Sequence, residues 1–260
     1  MSHYLLSGYA EVSPQVLKDR LKYPSSGCFL VQGMGPLAVH GHAKFGRLLF
    51  AHGAGAGQQS FFMRQFVTSL ADRGIQVLCI DFPYMQQMQE TGKRRPPPPI
   101  AQTLAQFAEW YALFDSLLEG PLWIGGKSMG GRVATLFASQ QLASEPSCSS
   151  TVPGVVVAGY PFHPPKTPHK LRLEHWPAIT CPMLVLQGER DPFGRQEEVE
   201  GYALPANAQL SWLKDGDHDF KPRRVSGLTQ TVLIDEATQV AASFVRAYSQ
   251  DLKEESNTLV

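Results

Sequence analysis

Six short apolar runs recur between residues 47 and 213: "RLLFAH" (47–52), "IQVLCID" (75–81), "PLWIG" (121–125), "GVVVAGY" (154–160), "PMLVLQG" (182–188) and "AQLSWL" (208–213). Runs this short and this continuous suit strands buried on both faces, and longer amphipathic stretches lie between several of them. From about residue 46 the chain therefore predicts an α/β fold, a mostly parallel central sheet with helices on both faces. Phe62, Phe66, Val67 and Leu70 recur at helical spacing before Gly74, which predicts a helix over 58–73. Leu104, Phe107, Ala108, Tyr111, Phe114 and Leu118 predict a second, and a third starts at Ser128 and runs to about Ala143, before the breaker-rich "SEPSCSSTVPG". These apolar stripes read as core packing.

The rest of the chain is less regular. "CFLVQGMGPLAVHG" predicts a hairpin of edge strands within residues 1–45, and 46–248 reads as the main domain. Residues 249–260 read as a flexible polar tail. Two segments, 83–99 with its four consecutive prolines and 160–179, read as long irregular loops of the kind that carry function. There is no internal repeat.

The stretch "WIGGKSMGGR" (123–132) admits two chemistries. A phosphate-binding loop needs a glycine five positions before Gly126, so that the backbone can curl round a phosphate. That position is Pro121, and the intervening residues are the apolar run Leu122-Trp123-Ile124. What remains is a strand running into Gly126-Lys127-Ser128-Met129-Gly130 and then a helix, the context of a tight turn that presents a nucleophilic serine. Such a serine needs a base and an acid to orient that base, following it in the order acid, then histidine. "VLQGERDPFG" offers Asp191 just past a strand, with Glu189 as a rival, and "WLKDGDHDF" offers His218 in a turn after the last strand. Asp215, Asp217 and Asp219 read as turn residues. Backbone donors for an oxyanion are expected from the amides of Ala54, in "FAHGAGAG", and Met129.

With these motifs in hand, the chain resembles the α/β-hydrolase superfamily and, within it, the dienelactone-hydrolase-like branch. It is most similar to a hydrolase-like family that includes a testis-expressed protein and the third subunit of the NSL histone-acetyltransferase complex. The stretches that carry the likeness are "HGAGAG", "DFPYM", "GGKSMGGR", "YPFHPP", "LRLEHWPAI", "LVLQGERDPFG" and "DGDHDFK", over about residues 46–221. The resemblance implies an α/β-hydrolase fold with Ser128, Asp191 and His218 in the triad positions.

The expected activity is acyl transfer, esterase- or thioesterase-like, on a small substrate; the alternative is a hydrolase-like scaffold with little catalysis. Lys93, Arg94, Arg95, Lys127, Lys170, Arg172 and Arg190 lie in segments ending near the expected site and point to an anionic substrate. Tyr84, Lys127, His163 and Arg190 are the candidate substrate contacts. His163, His169 and His175 recur every six residues, a spacing that suits no metal, so neither metal nor cofactor is expected. The segment leading to Asp191 is too short for a large lid domain, which predicts an open site. Lys and Arg together number 23, as do Asp and Glu, so no net field draws nucleic acid or an anionic membrane. Cys28, Cys79, Cys148 and Cys181 include no Cys-x-x-Cys pair, and the N-terminus has no signal-peptide pattern. Both point to a cytoplasmic protein.

Overall fold

A computed structural model describes residues 8–22, 27–141 and 152–258, of which 251–258 as backbone only. Within these residues nine strands form one sheet: β1 (Ala10–Val12), β2 (Gly27–Val31), β3 (Gly35–His40), β4 (Gly46–Ala51), β5 (Ile75–Ile80), β6 (Leu122–Lys127), β7 (Val155–Ala158), β8 (Met183–Gly188) and β9 (Ala208–Leu213). Their order is β1-β2-β3-β5-β4-β6-β7-β8-β9. Only the pairs β2–β3 and β3–β5 are antiparallel. The six apolar runs are β4 to β9. The expected hairpin is β2 and β3, but it does not form the sheet's edge: β3 pairs with β5, and β1 lies outside β2.

Among the described residues seven α-helices accompany the sheet: α1 (Pro14–Lys22), α2 (Phe61–Asp72), α3 (Pro83–Thr91), α4 (Ile100–Leu117), α5 (Met129–Gln140), α6 (Gln196–Val199) and α7 (Gln230–Thr258). Alternate strand residues serve two cores. Leu49, Val155, Val157 and Val185 join Leu17, Phe107, Trp110 and Phe137 of α1, α4 and α5. On the other face Leu48, Phe50, Val156 and Leu184 join Phe66 and Val67 of α2 and Leu233, Ile234 and Phe244 of α7. Period-two burial against period-3.6 stripes is what a sheet covered on both sides requires.

Three sequence expectations need correction. Residues 83–91 are helical, because Pro83 takes the first helical turn, where its missing N–H costs nothing, and Gly92 ends the helix at φ 67°. Helix α7, not expected at all, is the outer cover of one face, held to α2 by Arg73 and Asp235 (2.8 Å) and to β6 by Trp123 Nε1 donating to Ser249 Oγ (3.3 Å). The polar stretch read as a tail continues the backbone of α7 to Thr258. Ala143, Cys148 and the breaker-rich segment up to residue 151 lie outside the described residues.

The 160–179 segment, irregular as expected apart from one short 3-10 turn, is fastened to α5 by His175, whose Nε2–H donates to Thr135 Oγ1 (2.9 Å). Burial, with Arg132 nearby, lowers His175 from the ordinary 6.5 to about 4. The folded chain thus keeps this ring neutral while the unfolded chain protonates it near 6.5. Its contribution to stability is complete above that pH and is lost as the pH falls from about 6.5 towards 4. His175→Gln, which keeps a donor, should therefore shrink the drop in Tm between pH 7 and pH 4.5; an unchanged drop would place the acid sensitivity elsewhere.

Candidate active site

Strand order reverses at β4, which has β5 on one side and β6 on the other. Open α/β sheets leave a crevice beyond the carboxyl ends of their strands at such a point. Two loops meet there, the glycine-rich 52–57 after β4 and the turn after β6.

Ser128 occupies that second turn at φ 53° and ψ −113°, a strained conformation for a residue with a side chain. The strain is enforced by packing. A side chain on Gly126 would start 2.6 Å from the Gly131 nitrogen and 2.7 Å from the Ala51 carbonyl oxygen, and one on Gly130 2.7 Å from the His52 carbonyl oxygen. The chain therefore turns sharply and α5 begins at Met129, whose amide, first in the helix, has no carbonyl to bond within it.

Facing Ser128 is His218, in the turn after β9, with its Nε2 2.8 Å from Ser128 Oγ. His218 Nδ1 lies 2.7 Å from Asp191 Oδ2. A carboxylate only accepts, so Nδ1 carries the proton and Nε2 is free to accept from the serine hydroxyl. Asp191, just after β8, is fully buried, and its other oxygen accepts from the Phe193 amide (2.8 Å). The rival acid is elsewhere: Glu189 accepts from the Asp215 amide (2.7 Å). Asp217 takes the amides of Asp219 and Lys221, both at 2.9 Å, and shapes the histidine turn. Asp215 accepts from the Arg223 guanidinium, which holds its carboxyl below the usual range.

Two braces were not expected from the sequence. Gln187, in the last half of β8, has its amide nitrogen 2.9 Å from Asp191 Oδ2 and 3.2 Å from both the Tyr160 and Gly194 carbonyls, while its oxygen accepts from the Tyr160 amide (2.8 Å). The only signal was a polar residue interrupting an apolar strand. Gln187→Leu would leave the buried Tyr160 amide and the Gly194 carbonyl without this partner, at a cost of about 1–3 kcal/mol each at most, and would take one bond from Asp191 and so loosen it. Ester turnover is expected to fall about tenfold, with Tm lowered; wild-type turnover would show that Asp191 holds its place unaided.

The second brace is His52, fully buried, whose Nδ1–H donates to the Gly53 carbonyl (2.6 Å) and whose Nε2 accepts from the Phe82 amide (3.0 Å). Burial lowers its pKa, and a ring that accepts at Nε2 is neutral. Its 3.7 Å approach to Asp81 is accordingly not an ion pair. Asp81 instead accepts from the Gln58 amide (2.8 Å) and from Gln89 (3.0 Å). His52 and Asp81 together fix the 53–58 loop against β5.

Ser128 and His218 open onto a cavity of about 500 Å³ whose other walls include Ala54, Ala56, Phe61, Phe62, Met63 and Phe193. The opening is largely apolar, not basic, and Ser60, Asp219 and Gln230 also line it. Of the seven basic residues expected near it, only Lys127 contributes, and that side chain is buried. Arg95 donates to Gln87 (3.2 Å), Arg172 bonds the Pro161 carbonyl (3.5 Å), and Lys93, Arg94 and Lys170 do not line the cavity. Three of the four candidate substrate contacts also have other positions. Tyr84 donates to the Ala54 carbonyl (3.0 Å) from behind the loop; His163 is buried beside Glu198 (3.4 Å); Arg190 donates to the Asp215 carbonyl (2.9 Å). Their sequence positions were close to the site, but their side chains point into the supporting structure. Among the described residues no cluster of His, Cys, Asp and Glu is arranged to hold a metal ion, and no helix is long and apolar enough to cross a membrane.

Residues 44–246 match a family model described as an alpha/beta hydrolase domain. Among solved structures, Est1E from Butyrivibrio proteoclasticus aligns with a TM-score of 0.60 at 12% identity, covering 83% of this chain and 96% of that one. A dienelactone hydrolase from Anabaena variabilis aligns at 0.55 and 19% identity (84% and 95% covered). An esterase from Pyrococcus furiosus aligns at 0.56 and 16% (88% and 93%). At such identities the likeness is one of fold.

Proposed function

This chain belongs to the alpha/beta hydrolase family, and we propose that it is a serine hydrolase that cleaves small esters or thioesters by acyl transfer. One observation carries the reading: the unbroken chain from Asp191 through His218 to Ser128, 2.7 and 2.8 Å, at the wall of an apolar cavity. Ser128 Oγ attacks the acyl carbonyl as His218 Nε2 takes its proton, and Asp191 stabilises the imidazolium that forms. The amides of Ala54 and Met129 receive the oxyanion, the latter with the positive end of the α5 dipole behind it. His218 then protonates the leaving group, and a water activated by the same ring releases the acyl enzyme.

The cavity size and its Phe61, Phe62, Met63 and Phe193 walls support a compact, apolar acyl group, which replaces the anionic substrate expected from the sequence. The motif set supports the dienelactone-hydrolase-like branch, nearest the hydrolase-like family described above, and the scattered cysteines support a reducing, cytoplasmic setting. The reading is tested with p-nitrophenyl acetate and butyrate. Saturable release of p-nitrophenol by wild type, with no added metal, is expected; a folded protein that leaves both esters at their spontaneous rate would refute it.

A further inference from the structure

We propose that Lys127 and Asp219 form a latch that joins the chain segment carrying Ser128 to the one carrying His218, and so serve as a positioning pair for the reaction. The inference rests on the serine-hydrolase reading. Lys127 directly precedes Ser128 at the end of β6, and Asp219 directly follows His218 in its turn. Lys127 Nζ lies 3.3 Å from Asp219 Oδ1, so one ion pair spans the two segments whose separation sets the contact between nucleophile and base.

The charge itself needs a reason. The Lys127 side chain is 5% exposed, lies with its ammonium 5.2 Å from the centre of the Phe62 ring, and has no partner in a well-directed hydrogen bond. Burying an ammonium is costly, and an apolar side chain of the same length would fill the position more cheaply. Asp219 is 64% exposed and would be well solvated if released, yet it is turned inward onto this one cation. The turn is also held by bonds made within itself, by Gln230 donating to the Asp219 carbonyl (2.8 Å), and by Glu189, Arg190 and Asp191 from the loop after β8. The latch is the ion pair that ties it to the end of β6, beside the His218–Ser128 contact whose distance it helps to set.

The pair also sets the charge that the base faces. Gly159, at φ 65°, leaves open a point that Lys127 Nζ approaches to 3.2 Å and His218 Nδ1 to 3.3 Å. Facing His218 are Asp191 and the Phe193 ring from the loop after β8, Ser128 from the turn after β6, and Lys127, on which the charges of Asp219, Asp191 and Asp217 all bear. Asp215 is already engaged by Arg190 and Arg223. Lys127 thus sets a positive charge beside the imidazole, opposite in sign to the charge that Asp219 brings to the same pair. Removing the ammonium favours the imidazolium, which cannot accept the serine proton. Removing the Asp219 charge leaves the ammonium unopposed and favours the neutral ring.

The test is the rate at which a fluorophosphonate probe modifies wild type, Lys127→Met, Asp219→Asn and the double variant between about pH 5 and pH 9. Each single variant is expected to react about tenfold more slowly at its optimum. The acid limb of the profile should move up by about half a pH unit in Lys127→Met and down by a similar amount in Asp219→Asn. The double variant should be no slower than the slower single one. Asp219 is at the surface, so if Lys127→Met fails to fold, the downward shift in Asp219→Asn decides the matter. Unchanged rates and profiles in the variants, or slowing with no opposed shifts, would overturn the latch alone. A wild type inert at every pH would overturn the serine-hydrolase reading and the latch with it.

Discussion

Asp191→Asn should lower ester turnover by roughly 10⁴-fold while the protein stays folded. Asp191 is the acceptor that puts the proton on His218 Nδ1, at 2.7 Å, and so leaves Nε2 free to accept from Ser128. An asparagine at the same place can present its NH₂ to the ring, which reverses the tautomer and aims an N–H at the serine hydroxyl. The position is still held, since the Phe193 amide donates to the remaining side-chain oxygen, although Gln187 Nε2 loses its acceptor there and keeps the Tyr160 and Gly194 carbonyls; the base has lost its lone pair. The check is kcat for p-nitrophenyl acetate beside the far-ultraviolet circular dichroism of the same preparation. Turnover within tenfold of wild type would mean that His218 is oriented by some other group.

Gly130→Val should act on stability rather than on chemistry. A side chain at this position starts against the carbonyls of Ala51 and His52, and these atoms belong to the end of β4, buried beneath the site. Backbone inside a sheet cannot retreat as a flexible side chain does, so the Ser128 turn and β4 must part. A loss of about 3 kcal/mol is expected, seen as a fall in Tm of roughly 6–12 °C. A Tm within about 2 °C of wild type would show that the turn can open cheaply, and then the strain at Ser128 would not be imposed by packing.

Much of this was legible in the residues. Strands β4 to β8 announced themselves because both faces are largely buried, so nearly every position is apolar, whereas β9, at the sheet's edge, is only partly buried and carries Gln209 and Ser211. Ser128, Asp191 and His218 could be singled out because sheet connectivity delivers each of them to a strand's carboxyl end. Other features depend on direction, which a sequence does not carry. Arg190 and His163 are close to the site along the chain, yet they face Asp215 and Glu198. Gln187 is one polar letter in an apolar strand until the fold sets Asp191 and Tyr160 beside it. Pro83 reads as a breaker but sits at the one turn of a helix that tolerates it. Helix α7 carries its period openly in Leu233, Ile234, Ala237, Ala241 and Val245, yet it lies after the last site residue and outside every motif.

The proposed reaction requires Ser128 to be an activated nucleophile. It is tested most directly by incubating wild type and Ser128→Ala with a fluorophosphonate probe and measuring intact mass, followed by peptide mapping. One adduct per wild-type chain, located on Ser128, and none on Ser128→Ala is the result the account predicts. An adduct of equal yield on Ser128→Ala, or none on folded wild type, would contradict it.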